Sequence, residues 1–147
     1  MDFHSHLVRS EVIGLLGGMY YEETKTIKIT VAIPCNSNST GIQCEMDPLS
    51  EMDARDVLNK LKLTVVGWYH SHPTFNPSPS LRDIENQSNY QKLFSRSDNI
   101  EPFIGVIVSP FIPNSNNLNS VFNLVSISHQ LDPIHHHSNP LPLNSVN

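Results

Sequence analysis

Positive charge is scarce along this chain and nowhere clustered. Nine lysines and arginines face fourteen aspartates and glutamates, for a formal net charge of -5. Nucleic-acid backbones are held by clustered cations, so no nucleic-acid footprint is expected in this segment. Long apolar runs are missing too. Stretches such as "EVIGLLGG" and "LTVVGWY" fall far short of the roughly 20 residues that cross a bilayer, and no charged start with an apolar core behind it opens the chain. A soluble, intracellular protein is expected. Cysteine is nearly absent, with only Cys35 and Cys44. Without a secretion signal two reduced thiols are expected, and the lack of a Cys-x-x-Cys pair argues against a structural zinc site built on them.

What is present fits one domain. The 147 residues are 38% hydrophobic and only 16% charged, enough for one buried core, with Pro, Ser and Asn promising long loops. In "MDFHSHLVRS", Phe3, Leu7 and Val8 recur at helical spacing and read as the end of a helix. Its start at Met1 without a capping residue suggests that further residues precede it. "EVIGLLGGMYY" reads as a buried strand whose Gly17-Gly18 pair leads into a turn, and "KTIKITVAIPC" as its hairpin partner with Ile27, Ile29, Val31 and Ile33 on one face. "NSNSTGIQCEM" is a polar loop. Asp47-Pro48 then caps a helix with an apolar stripe of Leu49, Met52, Val57, Leu58 and Leu61.

"LTVVGWY" is continuous and β-branched, as a buried central strand is. "SLRDIENQSNYQKLF" forms a second helix with Leu81, Ile84, Leu93 and Phe94 as core candidates, and "PFIGVIVSP" and "VFNLVSISH" add two strands. Interleaved strands and helices predict an α/β or α+β sheet domain over residues 1–129. From Gln130 onward "LDPIHHHSNPLPLNSVN" loses all pattern and is expected to be a disordered tail over 130–147, its His135 to His137 run included.

The chemistry concentrates in "HSHPTFNPSPSLRD", His70 to Asp83. Residues i and i+2 at a strand exit point to the same side, so His70 and His72 can aim both imidazoles at one point. Asp83, in the first turn of the helix that follows, can supply an anionic oxygen. A His, His, carboxylate set leaves a fourth position open, as catalytic zinc sites do. Zinc lowers the pKa of water from about 15.7 to about 7. A hydrolase also needs a donor for the growing oxyanion and a proton carrier. Ser80 stands close to Asp83 and can be the donor. Glu11, an acid at the start of an apolar run, can be the carrier.

Each piece has a blander explanation. "HSH" also occurs at His4 to His6 with no downstream carboxylate, Ser80 and Asp83 form a Ser-x-x-Asp capping pattern, and Glu11 alone could lie exposed at a strand end. Their combination in order is what points to a metal site.

That combination resembles the H-x-H-P-x6-S-x-x-D signature of JAMM (MPN-plus) metalloproteases, with Glu11 in "EVIGLLGG" matching the upstream glutamate. The resemblance runs from about Phe3 to His129. "PCNSNSTGIQCEMDP", "VVGWYHSHP" and "PSLRDIENQ" narrow it to the branch carrying SANT and SWIRM segments, which removes ubiquitin from histone 2A. It implies the MPN fold, a curved, mostly antiparallel sheet flanked by helices. It further implies a zinc ion on His70, His72 and Asp83, with Glu11 as general acid/base and Ser80 as oxyanion stabiliser. The implied reaction is hydrolysis of an isopeptide bond between ubiquitin and a lysine, on nucleosomal histone 2A in the nucleus, with the ubiquitin tail beside the Thr74 to Pro79 loop. Two rivals are a non-catalytic MPN scaffold subunit and a protease for another ubiquitin-like modifier.

Overall fold

A computed structural model describes residues 1–39, 44–97, 99–111, 119–128 and 141–142. The side chains of Ser39, Cys44, Leu141 and Pro142 are not described. The chain runs α1 (Asp2–Leu7), β1 (Ile13–Tyr21), β2 (Thr26–Cys35), β3 (Ser37–Ser39), β4 (Cys44–Met46), α2 (Pro48–Lys60), β5 (Thr64–Ser71), α3 (Leu81–Leu93), β6 (Ile104–Ser109), β7 (Val121–Val125), β8 (Ile127–Ser128) and β9 (Leu141–Pro142). Five strands form one sheet in the order β2-β1-β5-β6-β7. Only β5 and β6 pair parallel, so the sheet is mostly antiparallel and the fold is α+β, as expected. Among the described residues no helix is long and apolar enough to cross a membrane.

β5 sits at the centre because both of its faces can be buried, which its unbroken apolar run requires. On one face Leu15, Trp68 and Phe103 pack with Ala54 of α2 and with Tyr90 and Phe94, at the end of α3. On the other, Leu16, Val66, Tyr69, Val106 and Val108 pack together, with Met1 laid against them. Arg55, paired with Glu51 one turn earlier in α2 at 2.6 Å, links that helix to the end of α3 by lying 5.3 Å from the centre of the Phe94 ring.

Several sequence expectations need correction. The Gly17-Gly18 pair lies inside β1, at a break in the β1–β2 register, and not in a turn. That bulge shifts the alternation of β2, so Ile27 packs with the Tyr69 cluster while Ile33 packs with the Trp68 cluster, and Ile29 is exposed. In α2 only Leu58 of the expected stripe is buried, joined by Ala54; Leu49, Met52, Val57 and Leu61 are exposed. The helix is rotated so that Leu58 rests on Gly17, where a Cβ would come within 2.1 Å of the leucine side chain. Phe3 and Leu7 of α1 also face outward, while Ser5 is buried.

In α3 the expected apolar positions Leu81 and Leu93 are 81% and 69% exposed, and the buried residues are Asp83, Gln87 and Gln91. The polar segment before α2 holds the β3–β4 hairpin, and "VFNLVSISH" is broken into β7 and β8 at Ser126. β9, within the expected tail, pairs antiparallel with β8. The remainder of that tail, His135 to His137 included, lies outside the described residues.

Helix α2 ends on Lys62 in the left-handed region at φ 58°, with Lys62 N–H donating to Asn59 and Leu63 N–H to Leu58. This is a C-terminal cap that glycine fills without steric cost. Lys62→Gly is therefore expected to stabilise the domain by about 0.5–1 kcal/mol, read from urea unfolding midpoints at unchanged slope.

Candidate metal centre and active site

His70 lies on the central strand, opposite Ile13 of β1 and Ile107 of β6. Beyond the strand end, the His72 backbone N–H still donates to Val108 at 2.8 Å, and Ser71 exchanges bonds with Val12 through both its N–H and its Oγ. The His-x-His unit is thus held on both sides by neighbouring chain. The loop that follows is pinned as firmly. The carbonyls of Pro73, Phe75, Asn76 and Pro77 accept from Phe111 N–H, Ser109 Oγ, His72 Nδ1 and Asn123 Nδ2.

One of these bonds has a chemical consequence. A carbonyl can only accept, so the 2.8 Å contact between His72 Nδ1 and Asn76 O puts a proton on Nδ1, which in the neutral ring makes Nε2 the lone-pair donor. That arrangement prepares a histidine to bind a metal. Burial pushes the His70 pKa down to about 4, against an upward pull from Asp83 and with a further downward push from His72. His70 is therefore neutral at pH 7.

Asp83 is delivered from α3. Its Oδ2 accepts from both the backbone N–H and the Oγ of Ser80 at 2.7 Å, while Ser80 Oγ accepts from the Asp83 N–H at 3.2 Å. This is a complete capping box, so the bland reading of the Ser-x-x-Asp pattern holds alongside the functional one. The carboxylate remains buried and faces both histidines, with Oδ1 3.4 Å from His70 Nε2 and Oδ2 3.8 Å from His72 Nε2.

The ligand atoms of His70, His72 and Asp83 all lie within 4.8 Å of one another. A tetrahedral ion with bonds of about 2.0–2.1 Å sets its ligand atoms roughly 3.4 Å apart. Among the described residues, His70 Nε2 is a buried polar atom with no hydrogen-bond partner. Leaving such an atom unpaired is costly, and a cation at this point would satisfy it. Two imidazole nitrogens and a carboxylate in this spacing therefore fit a divalent metal.

Glu11, in the segment before β1, lies within electrostatic reach of the same site. It is half-buried, less enclosed than its apolar surroundings in sequence suggest. Burial raises its pKa, His72 lowers it and Asp83 raises it, so the charges of the histidine and the carboxylate are both felt at Glu11. Beside the cluster lies a cavity of about 170 Å³ whose walls include Ile13, Met46, Trp68, Tyr90, Glu45 and Glu51. The other His-x-His pair is engaged elsewhere: His4 bonds the Tyr69 hydroxyl at 2.9 Å, and His6 bonds the Asp2 carbonyl. Cys35 is a free, buried thiol.

Sequence reading missed the residues that surround the ligands. Trp68 meets His70 edge-on at 5.2 Å, and Phe75 stacks on His72 at 4.3 Å. Trp68 could have been found from its position two residues before His70, which places it on the same strand face. Phe75 carries no such signal, because loop geometry puts it there.

Fold and donor set together define a mixed α+β domain built around a candidate metal centre. Residues 1–96 match the family described as JAB1/Mov34/MPN/PAD-1 ubiquitin protease, and the chain belongs to that family. Human "Deubiquitinase MYSM1" is 50% identical over 133 residues, covering 90% of this chain and 16% of that protein. The MYSM1 protein of Branchiostoma floridae, named as a histone 2A deubiquitinase, is 50% identical over 111 residues, 76% of this chain and 14% of that protein. The Drosophila melanogaster "MPN domain-containing protein CG4751" is 38% identical over 128 residues, 86% of this chain and 9% of that protein. The chain thus spans a small part of the relatives it matches. A solution structure of a Salinibacter ruber protein shares the fold at a TM-score of 0.54 and 18% identity, covering 86% of this chain and 74% of that one.

Removing the Ser80 hydroxyl takes away the α3 cap and one of the two bonds to Asp83 Oδ2. Ser80→Ala is expected to lower stability by about 1 kcal/mol in urea unfolding.

Proposed function

We propose that this chain is a zinc-dependent deubiquitinase domain that hydrolyses the isopeptide bond between ubiquitin and a substrate lysine, with ubiquitinated histone 2A as its substrate class. The observation that carries the reading is the convergence of three buried donors on one point, with His70 Nε2 unpartnered there. The names of the MYSM1 relatives support the substrate class. A chain acting on that substrate would work in the nucleus.

His70 Nε2, His72 Nε2 and the Asp83 carboxylate would hold the zinc, whose Lewis acidity eases deprotonation of a water at neutral pH. The remaining chemistry belongs to the chain. Glu11 takes the proton of the attacking water, and its raised pKa suits a group that must accept and then return a proton. The water oxygen bonds to the isopeptide carbonyl carbon, and negative charge grows on the carbonyl oxygen. Ser80 Oγ, which donates to Asp83 Oδ2 in the resting structure, turns its hydrogen toward that oxygen. The carbon–nitrogen bond then breaks. Glu11 passes its proton to the departing lysine nitrogen, and the new carboxyl group gives up the water's second proton to the amine, leaving a carboxylate at the ubiquitin terminus and a lysine ammonium.

The pinned Thr74 to Pro79 loop offers a rigid wall for the extended ubiquitin tail. With Glu11, Ser80, His70, His72 and Asp83 all present, the reading favours an enzyme over a scaffold subunit.

Metal analysis combined with cleavage of a ubiquitin-lysine isopeptide substrate tests this. About one zinc per chain is expected in both wild type and Glu11→Gln, with turnover reduced at least 100-fold in the variant. A strong chelator is expected to abolish cleavage and added zinc to restore it. Cleavage that survives complete metal removal would overturn the mechanism.

A further inference from the structure

The buried face of α3 carries a row of side chains that the proposed reaction does not use. Gln87 and Gln91 follow Asp83 at one-turn intervals, and all three are buried. Trp68 Nε1 donates to Gln87 Oε1 at 2.8 Å. Gln87 Nε2 donates to Gln91 Oε1 at 2.8 Å and to the Phe103 carbonyl at 3.1 Å. Gln91 Nε2 continues to the Ile127 carbonyl at 3.0 Å and to Glu101 at 2.9 Å, and the Ile127 N–H returns to Gln91 Oε1 at 2.7 Å. An indole nitrogen can only donate, so it fixes which end of the Gln87 amide faces it, and that choice orients Gln91 in turn.

This row lies beside the metal ligands in a regular way. Trp68 and His70 are two residues apart on one face of β5, about 6.6 Å along the strand. Gln87 and Asp83 are one turn apart on α3, about 6 Å along the helix. The two repeats match, so strand and helix meet in two adjacent rungs, Trp68 with Gln87 and His70 with Asp83. The second rung, at 3.4 Å, is too long to be a firm hydrogen bond. Other contacts near the Asp83 end cannot set the helix rotation either. The Ser80 cap is the residue next to α3 and bonds to Asp83 of that helix, so it does not tie α3 to the sheet, and the Arg82–Glu45 pair to β4 is made by two exposed, flexible side chains.

We infer that Gln87 is a positioning residue: its bond to Trp68 sets the rotation of α3 against the sheet and so aims the Asp83 carboxylate at His70 and His72. The inference rests on the metal site proposed above. With side chains reaching about 5–6 Å from the axis, a 10° turn of the helix moves the carboxylate by roughly 1 Å, beyond the tolerance of about 0.5 Å that a metal site allows. Gly105 of β6 leaves the space for this rung, since a Cβ there would stand 3.0 Å from both Gln87 Oε1 and the Trp68 ring.

Cobalt(II) titration of the whole chain, read by its visible absorption, tests this without recourse to catalysis. Gln87→Leu is expected to weaken cobalt affinity about tenfold or more and to alter the tetrahedral absorption band. Leu58→Ala, a core truncation in α2, serves as a control for general destabilisation and is expected to bind within about twofold of wild type. The double variant Trp68→Phe/Gln87→Leu removes both partners and leaves no orphaned donor in that pair, so it should recover melting temperature but not cobalt affinity. It also carries the test should Gln87→Leu fail to fold. Wild-type affinity in the double variant, or an equal loss in Leu58→Ala, would overturn the inference. A wild-type chain that binds no cobalt would instead bring down the metal site itself, a result distinct from binding that is indifferent to Gln87.

Discussion

Helix α3 turns a carboxylate and two amides toward the sheet, and their burial is the condition that the surrounding structure has to satisfy. A polar group taken from water without a partner costs about 2–7 kcal/mol, so α3 can dock only where each group finds one. The indole of Trp68, the carbonyls of Phe103 and Ile127, the Ile127 N–H and the Ser80 cap meet that demand. They come from β5, from the approach to β6, from β8 and from the loop before α3. Such directional bonding admits one arrangement where apolar packing would admit several. Of the buried side-chain nitrogens and oxygens among the described residues only His70 Nε2, at the end of the row, is left without a partner, and it is there that the candidate ligand atoms converge.

The other half of the site is held by the sheet. β5 is bonded antiparallel to β1 and parallel to β6, and the bonding continues through Ser71 and His72 after the strand formally ends. His72 is fixed further by the Asn76 carbonyl and by the stacked ring of Phe75. A helix and a central strand, each rigid for its own reason, therefore hold the three candidate ligands from two separate elements. Glu11 and Ser80 are less enclosed, which suits the proton exchange and hydroxyl reorientation proposed for them.

Much of this was legible in the sequence. The order of strands and helices followed from periodicity, the α2 cap from Asp47 and Pro48, and the clustering of His70, His72 and Asp83 from their spacing. The errors share a cause. In α2 and α3 the expected core was read from apolar residues, yet Leu49, Met52, Leu81 and Leu93 are exposed while Ala54, Gln87 and Gln91 are buried. A small residue lets a helix approach a sheet closely, and an amide can be buried when partners await it; neither condition is visible in the helix's own sequence. Likewise, the bulge at Gly17 and Gly18 depends on how β2 registers against β1, so the faces of Ile27 and Ile33 could not be assigned from alternation alone.

The sequence by itself determined which donors are available and in what local geometry: two imidazoles on one side of a strand exit, and a serine and an aspartate at a helix start. Those relations are set by backbone repeats and by capping chemistry, which act over a few residues. Tertiary structure decided that the strand exit and the helix start face each other at a spacing that could hold one ion, that Glu11, more than fifty residues upstream, comes within electrostatic reach of them, and that Trp68 and Gln87 form the rung beside them. Those relations depend on the rotation of α3 against β5, which is set by hydrogen bonds between segments far apart in the chain.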